Sequence, residues 1–397
     1  MAKLLALSAL GLDRRGLIAD ISGAVTRAQG NIVHVEQFAV RGMFTMFMLV
    51  ERTTKGPALP QLKAALEREL AGIGLNVRLE AVDADAGEPR EMHVITILGA
   101  DKVGIMHAIT SCVAEHGGNI ERMRHVAKGD FMAFEITISM ASREVPKLRR
   151  GLRAVCERIG VDAVIQPDSI FRARRRLVVF DMDSTIIEGE VIDALAKAAG
   201  VEREVSALTE RAMRGELDFK QSLHARVRML KGLQVKQLER IAGELTLTPG
   251  SVDLVTTLKR MGFRVALISG GFTFFTDRLK QELGFDYTYA NELVIRNGKL
   301  TGEVKEPVID ARRKAAIVRS IAKREGLKPE EVVAVGDGAN DRIMIKNAGL
   351  GIAFNAKDVL KRVADGSITR DNLRGLLYAL GATDQDLAAA LPRARRR

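Results

Sequence analysis

Two aspartates one residue apart, Asp181 and Asp183, end the apolar run of residues 177–180 in the segment LVVFDMDSTIIEGE. A second apolar run, 265–268, leads into Ser269, Gly270 and Gly271. A third, 332–335, leads into Gly336, Asp337, Gly338, Ala339, Asn340 and Asp341. If these ends meet, Asp181, Asp183, Asp337 and Asp341 crowd negative charge into one place. Such crowding raises carboxylate pKa values and is costly unless a cation joins the group. Mg²⁺ suits the set, because it takes a few carboxylates, keeps waters and binds phosphate oxygens. Lys314, at the start of another helical stretch, adds a positive group. Ser269 and N–H groups beside glycines can hold the remaining phosphoryl oxygens. A nucleophile among a metal, a lysine and N–H donors has the parts that phosphoryl transfer requires.

The elements that must position these residues are legible. From residue 177 onward apolar runs alternate with helical periodicity, which indicates a parallel α/β sheet. Four strands are expected, at 177–180, 265–268, 332–335 and 351–354. In such sheets ligands bind beyond the carboxyl ends of the strands, where all three polar segments begin. The stretch from Asp181 to Ser269 is far longer than one crossover helix needs. Residues 188–247 within it read as helical, which suggests a mobile cap that closes on a small substrate and excludes water. Residues 294–304 form a hairpin around Asn297-Gly298, structural in role.

These segments resemble the haloacid dehalogenase superfamily of phosphotransferases. Its four motifs are matched in order by Asp181-Met182-Asp183-Ser184-Thr185, by Ser269, by Lys314, and by Gly336-Asp337 with Asp341. The resemblance implies that Asp181 attacks phosphorus and forms an aspartyl-phosphate. It implies that Asp183 is the general acid and base, its backbone C=O being turned to Mg²⁺. Asp337 completes a metal set of Asp181, Asp183 and Asp337, and Asp341 either ligates through water or orients Lys314. Within that superfamily, residues 177–375 are similar to the phosphoserine phosphatases, through Asp181–Glu190, AMRGELDFKQSLHARVRML, LISGGF, NGKLTG and AVGDGAND. This implies O-phospho-L-serine as substrate and L-serine as product. Glu190 then faces the ammonium and Arg226 holds the carboxylate. Met213 and Phe219 cover the site, and Asn340, Ser269, Gly270 and Lys314 contact the substrate. The alternatives are another small phosphate ester, or a regulatory protein without catalysis.

Residues 1–170 repeat themselves. Asp13 and Gly16 align with Asp101 and Gly104, and Gly30-Asn31-Ile32 with Gly118-Asn119-Ile120. Each copy reads strand, helix, two strands, helix, strand, a ferredoxin-like βαββαβ unit. Gly30 and Gly118 sit where a helix C-cap would need positive φ. The D-x-x-G turn and later G-N-I resemble the ACT domain, a small-molecule sensing module. The resemblance implies an amino-acid ligand, most economically L-serine, at Asp13–Gly16 or Asp101–Gly104, and pairing into a homodimer. A helix N-terminus offers N–H groups to a carboxylate, and an Asp can take the ammonium. The expected organisation is 1–84 and 90–168 as ACT domains and 177–397 as a Rossmann-like α/β phosphatase core with a helical cap near 188–247. Residues 83–91 and 167–176 are the linkers.

Bulk properties fit this reading. The chain has 397 residues, 47% hydrophobic and 28% charged, which favours packed domains over disorder. Its net charge is +11, and 40 Lys/Arg against 30 Asp/Glu after residue 170 place nearly all the excess there. Two short arginine clusters, 172–176 and 393–397, read as a solvated linker and tail. No nucleic-acid motif accompanies them, and there is no Trp for base stacking. Cys112 and Cys156 are too few for a disulfide framework. No run is long and apolar enough to span a membrane, and the N-terminus lacks a cleavage signal, so no membrane association and a cytoplasmic location are expected.

Overall fold

The computed structural model describes residues 3–83, 91–127, 132–169, 175–369, 372–384 and 386–387. The linker 84–90, Arg172 and Arg174 of the first arginine cluster, and the arginine tail lie outside them. The chain forms two compact units, Met1–Pro89 and Arg90–Arg397.

The first unit runs β1 (Lys3–Leu12), α1 (Leu17–Arg27), β2 (Gly30–Val40), β3 (Met43–Arg52), α2 (Leu59–Leu70) and β4 (Leu75–Asp83). Its strands form an antiparallel sheet in the order β2-β3-β1-β4. Leu62, Leu66 and Leu70 recur every fourth residue and bury one face of α2. They meet Leu5, Leu7, Phe44, Met46 and Met48 from alternate strand positions. Along β3 burial alternates strictly, so one sheet face packs and the other faces outward.

The two glycines expected to cap these helices do something else. The positive φ falls one residue earlier, at Gln29 (φ 60°) and Gly117 (φ 75°). Gly30 and Gly118 are small because a Cβ would stand 2.6 Å from Val50 Cγ1 and 2.8 Å from Val113 Cγ1 respectively. Close packing, not backbone handedness, excludes a side chain there.

The second unit begins with the same pattern: β5 (Glu91–Gly99), α3 (Ile105–Glu115), β6 (Asn119–Ala127), β7 (Met132–Met140), α4 (Val145–Ile159) and β8 (Val161–Pro167). The α/β core follows. It comprises β9 (Leu177–Phe180), α5 (Val191–Ala199), α6 (Glu202–Met213), α7 (Phe219–Met229), α8 (Val235–Glu244), α9 (Ser251–Arg260), β10 (Arg264–Phe272), α10 (Thr273–Leu283) and β11 (Tyr287–Asn291). It continues through β12 (Leu293–Arg296), β13 (Lys299–Val304), α11 (Ala311–Arg324), β14 (Val332–Gly336), α12 (Arg342–Asn347), β15 (Leu350–Phe354), α13 (Asp358–Lys361), β16 (Gly366–Ile368) and α14 (Gly375–Ala379).

One ten-stranded sheet runs through this unit in the order β11-β10-β9-β14-β15-β16-β8-β5-β7-β6. Strands β11, β10, β9, β14, β15 and β16 pair in parallel, and β16 meets β8 antiparallel at Gly366 and Val164. A Cβ on Gly366 would lie 2.5 Å from Val164 Cγ2 and 2.8 Å from the Ala163 carbonyl oxygen, so the seam requires glycine. Both faces of β5 and β7 are mostly buried, unlike β3 of the first unit. Leu98, Ala133 and Val164 join one apolar cluster with Leu376, Leu377 and the core strands.

In β9 all four residues are buried, with Val178 and Phe180 on one face of the sheet and Leu177 and Val179 on the other. This is why the run is continuous rather than alternating. Each such side chain contributes about 1.5–3 kcal/mol by burial. Helices α5 to α8 form the layer expected as a cap. The hairpin β12–β13 backs it, through Gly232 N–H to Leu300 O at 2.9 Å and Val235 N–H to Gly298 O at 2.9 Å.

Candidate active site

Strand β9 delivers Asp181 into a tight turn. The Asp181 carboxylate accepts the Met182 N–H at 2.7 Å. Ile187 N–H closes the turn on Met182 O at 3.1 Å. Ser184 holds a positive φ of 53° inside it, a conformation that costs a non-glycine residue about 1–2 kcal/mol and is held by its surroundings. The turn alternates the two aspartates, so they face different partners.

Asp181 is buried and points at cationic and polar groups. Its Oδ2 lies 2.8 Å from Lys314 Nζ and accepts the Asn340 Nδ2 hydrogen at 3.2 Å. Lys314, wholly buried on the first turn of α11, also donates to Asp341 Oδ1 at 2.8 Å. Burial opposes the lysine charge, but the Asp181 and Asp341 carboxylates outweigh it and hold the ammonium above its ordinary range. Asp341 Oδ2 also accepts the Gly338 N–H at 3.3 Å. A Cβ on Gly336 would stand 2.3 Å from that oxygen, so the glycine preceding Asp337 makes room for Asp341.

Asp183 turns elsewhere. Its Oδ1 accepts the Val191 N–H at 2.8 Å, and its Oδ2 accepts from Ser269 Oγ at 3.4 Å. Burial, reinforced by the charges of Glu190 and Asp181, raises its carboxyl well above the ordinary aspartate value. Ser269 Oγ in turn accepts the Gly271 N–H at 2.7 Å. A Cβ on Gly271 would come within 2.9 Å of Asp183 Oδ2.

Oxygens of Asp181, Asp337 and Asp341 lie within 4.8 Å of one another. Burial, with the Asp181 and Glu190 charges adding to it, pushes Asp337 up to about 7. An all-oxygen set of clustered carboxylates, one of them raised by burial and by neighbouring negative charge, fits a hard divalent cation. The sequence expected the Asp183 backbone C=O, not its side chain, among the metal ligands. The carboxylates that converge are Asp181, Asp337 and Asp341, while the Asp183 side chain is committed to Val191 and Ser269.

Glu190, just before α5, reaches solvent at the rim yet sits among enough protein that burial raises its carboxyl, the Asp181 charge adding to the effect. Arg226, on α7, is half-buried, and burial lowers its guanidinium against the pull of Glu190. Phe219 opens α7, and its ring edge lies over Gly270, where a Cβ would meet Phe219 Cζ at 3.1 Å. Asn340 Nδ2 stands 3.9 Å from the same point. Gly270 O accepts from Asn291 Nδ2 at 2.7 Å, which fixes the loop after β10. The backbone of Met213 ends α6, and its side chain lies outside the described residues.

Sequence reasoning missed Val191, whose N–H holds Asp183, and Gly271, whose smallness admits it. The paired glycines after Ser269 were the available signal for Gly271; a backbone donor such as Val191 leaves none.

The two D-x-x-G turns behave alike within their own units. Gly16 (φ 90°) and Gly104 (φ 93°) are left-handed N-cap residues of α1 and α3. Asp13 and Asp101 are exposed, and among the described residues neither carboxylate caps its helix.

Residues 175–349 match the haloacid dehalogenase-like hydrolase model, and residues 3–80 and 91–166 match the ACT domain model. The phosphoserine phosphatase of Archaeoglobus fulgidus is 51% identical over 338 residues, covering 85% of this chain and 97% of its own. That of Streptomyces coelicolor is 38% identical over 386 residues, covering 96% of this chain and 92% of its own. A solved phospho-aspartyl intermediate analogue of phosphoserine phosphatase is 45% identical, with a TM-score of 0.50, over 52% of this chain and 99% of that one. With a carboxylate cluster at the carboxyl ends of β9 and β14, a helical layer beside it and a relative matched over nearly its whole length, the chain belongs to the phosphoserine phosphatases, haloacid dehalogenase-like phosphoric monoester hydrolases, here joined to two ACT domains.

Proposed function

We propose that the chain hydrolyses O-phospho-L-serine to L-serine and phosphate through an aspartyl-phosphate on Asp181, with Mg²⁺ as cofactor. The carrying observation is the division of labour between two neighbouring aspartates. Asp181 is held by Lys314 at 2.8 Å, whereas Asp183 is biased toward its protonated form. An anionic nucleophile beside a neutral carboxylic acid is the pairing that ester cleavage needs.

In the first step an Asp181 oxygen bonds to phosphorus as the bond to the serine oxygen breaks. Asp183 delivers its proton to that oxygen. In the second, a water oxygen bonds to phosphorus, the Asp181 bond breaks, and Asp183 takes the water proton back. Asp181, Asp337 and the Asp183 backbone carbonyl would hold Mg²⁺, which when bound offsets charge on the carboxylates and the phosphoryl oxygens. Asp341 steadies Lys314 and stands within reach of the same cluster. Lys314, Ser269 and the Gly270 backbone hold phosphoryl oxygens. Glu190 receives the ammonium and Arg226 the carboxylate, with Asn340, Phe219 and Met213 completing the pocket.

Residues 1–84 and 90–168 act as sensing domains and 177–397 as the phosphatase, in the cytoplasm. L-serine binds a D-x-x-G turn, where the α1 or α3 N-terminus meets its carboxylate and Asp13 or Asp101 its ammonium. A homodimer is favoured by the outer face of the first unit's sheet. There Leu12, Met43 and Val40 stand in register, with Phe38 and Phe47 beside them, all exposed. So contiguous an apolar patch marks an interface.

Phosphate release from phosphoserine, phosphothreonine and p-nitrophenyl phosphate, with MgCl₂ or with EDTA, tests the reading. Phosphoserine should lead p-nitrophenyl phosphate by roughly 10²-fold in kcat/KM, as two charge-assisted contacts imply, and EDTA should stop turnover. Equal rates on all three esters would refute the assignment of substrate. Serine inhibition or activation that survives both Asp13→Ala and Asp101→Ala would refute the sensing site.

A further inference from the structure

A cavity of about 810 Å³ lies where α4 and β8 face α13 and β16, and no residue assigned to catalysis lines it. Arg149, Arg150, Arg153, Lys361 and Arg362 line it. Its acids are Glu157, Asp162 and Asp365. Asp365 is already engaged, by Arg149 at 2.8 Å and by the Gly351 N–H at 2.8 Å. Asp162 accepts both the backbone N–H and the hydroxyl of Thr369. Glu157 lies 3.8 Å from Arg153. Arg150 and Arg362 have no ion-pair partner among the described residues, and both are exposed. The Nε of Arg149 is buried with no hydrogen-bond partner among them.

Two guanidiniums without an ion-pair partner among the described residues line one space. Guanidinium forks match phosphate oxygens in pairs, and a multiply charged anion satisfies several at once. The remaining wall is apolar, from Leu152, Val161 and Ile165. A cavity of this volume takes a drug-sized or nucleotide-sized molecule. Leu152, Arg149 and Val161 belong to the sensing fold, and Arg362 and Asp365 to the catalytic fold, on either side of the β8–β16 seam.

We propose that this seam cavity is a binding site for a multiply charged organic phosphate of nucleotide size, distinct from the phosphatase centre. The apolar wall takes the base or carbon skeleton, and Arg150 and Arg362 take the phosphate oxygens. The assignment is independent of which phosphate ester the catalytic centre hydrolyses.

The test uses the full-length protein and a fluorescent trinitrophenyl nucleotide at 0.15 M salt, a concentration that screens diffuse surface charge. Saturable binding should persist in Asp181→Asn and weaken at least about tenfold in Arg150→Glu/Arg362→Glu, whose changes lie on exposed side chains. Pyrophosphate should compete and L-serine should not. Hydrogen exchange should slow at both walls, near 145–165 and 358–369, when the nucleotide is bound. Absence of saturable binding overturns the proposal. So does binding that is lost in Asp181→Asn and kept in the double arginine variant, because the probe would then occupy the catalytic centre.

Discussion

The Asp183 carboxylate accepts the backbone N–H of Val191, the first residue of α5, at 2.8 Å. The group assigned to proton transfer is thereby fastened to the start of the helical layer that covers the site. Its orientation is fixed by main chain rather than by a side chain that could swing away.

Asp183→Asn keeps this acceptor and removes the transferable proton. Phosphate release should fall by roughly 10²–10⁴-fold, the worth of general acid–base catalysis, with little change in thermal unfolding. Asp181→Asn should remove turnover altogether, since among the described residues the only other carboxylate paired with Lys314 is Asp341, which the Gly338 N–H also holds. Steady-state phosphate release, read beside melting curves, separates the two effects.

Arg226→Lys should act on the substrate's amino-acid portion alone. A lysine keeps the charge and loses the two-pronged fit to a carboxylate. KM for phosphoserine should rise by about tenfold or more, at roughly 1.5–3 kcal/mol for a charge-assisted hydrogen bond. The rate on p-nitrophenyl phosphate, which has no carboxylate, should stay within about twofold. Equal losses on both esters would show that Arg226 supports the fold instead.

Metal binding should depend on pH with a definite sign. Asp337, displaced upward from 3.8 to about 7 by burial and neighbouring negative charge, holds a proton that a cation must expel. Apparent Mg²⁺ affinity should therefore rise about tenfold per pH unit below 7 and level off above it. Without the cation, the folded form binds more protons here than the unfolded form between about pH 4 and 7, so this residue's contribution to stability falls as pH rises through that window. Titration calorimetry across the range, with Asp337→Asn losing the slope, checks the claim.

The covering layer is also tied down at Glu306, in the loop between β13 and α11. Lys220 Nζ approaches its carboxylate at 2.8 Å and His224 Nε2 at 3.1 Å, both from α7, the helix that carries Phe219 and Arg226. Glu306→Gln should loosen α7 without disturbing the core. KM should rise several-fold while the melting temperature is unchanged, because an exposed pair contributes little to global stability. A fall in kcat with KM constant would place the effect on chemistry and refute the latch.

The sequence made the catalytic rim legible because the apolar runs there are buried and give way abruptly to polar residues. The α/β alternation and the doubled βαββαβ pattern follow from periodicity alone. Other features leave no local trace. The bond from Val191 to Asp183 uses a backbone donor common to every residue. The handedness expected at Gly30 and Gly118 lies at Gln29 and Gly117, because a glycine kept for close packing reads like one kept for positive φ. The junction of β8 with β16 rests on a three-residue strand, too short for any periodic signal. Its only hint was compositional. HVITILG runs more continuously apolar than a sheet with one wet face needs, and both it and the alternating AFEITISM pack on both faces.

That junction bears on how the chain can be divided. A catalytic fragment begun at Leu177 would leave the backbone of β16 without its neighbour, with unpaired N–H and C=O groups along a bare strand. It would also strip Leu98, Ala133 and Val164 from the apolar surface of α14. A sticky strand beside a freshly exposed greasy helix is a recipe for aggregation. The second ACT domain thus also covers an edge of the phosphatase sheet.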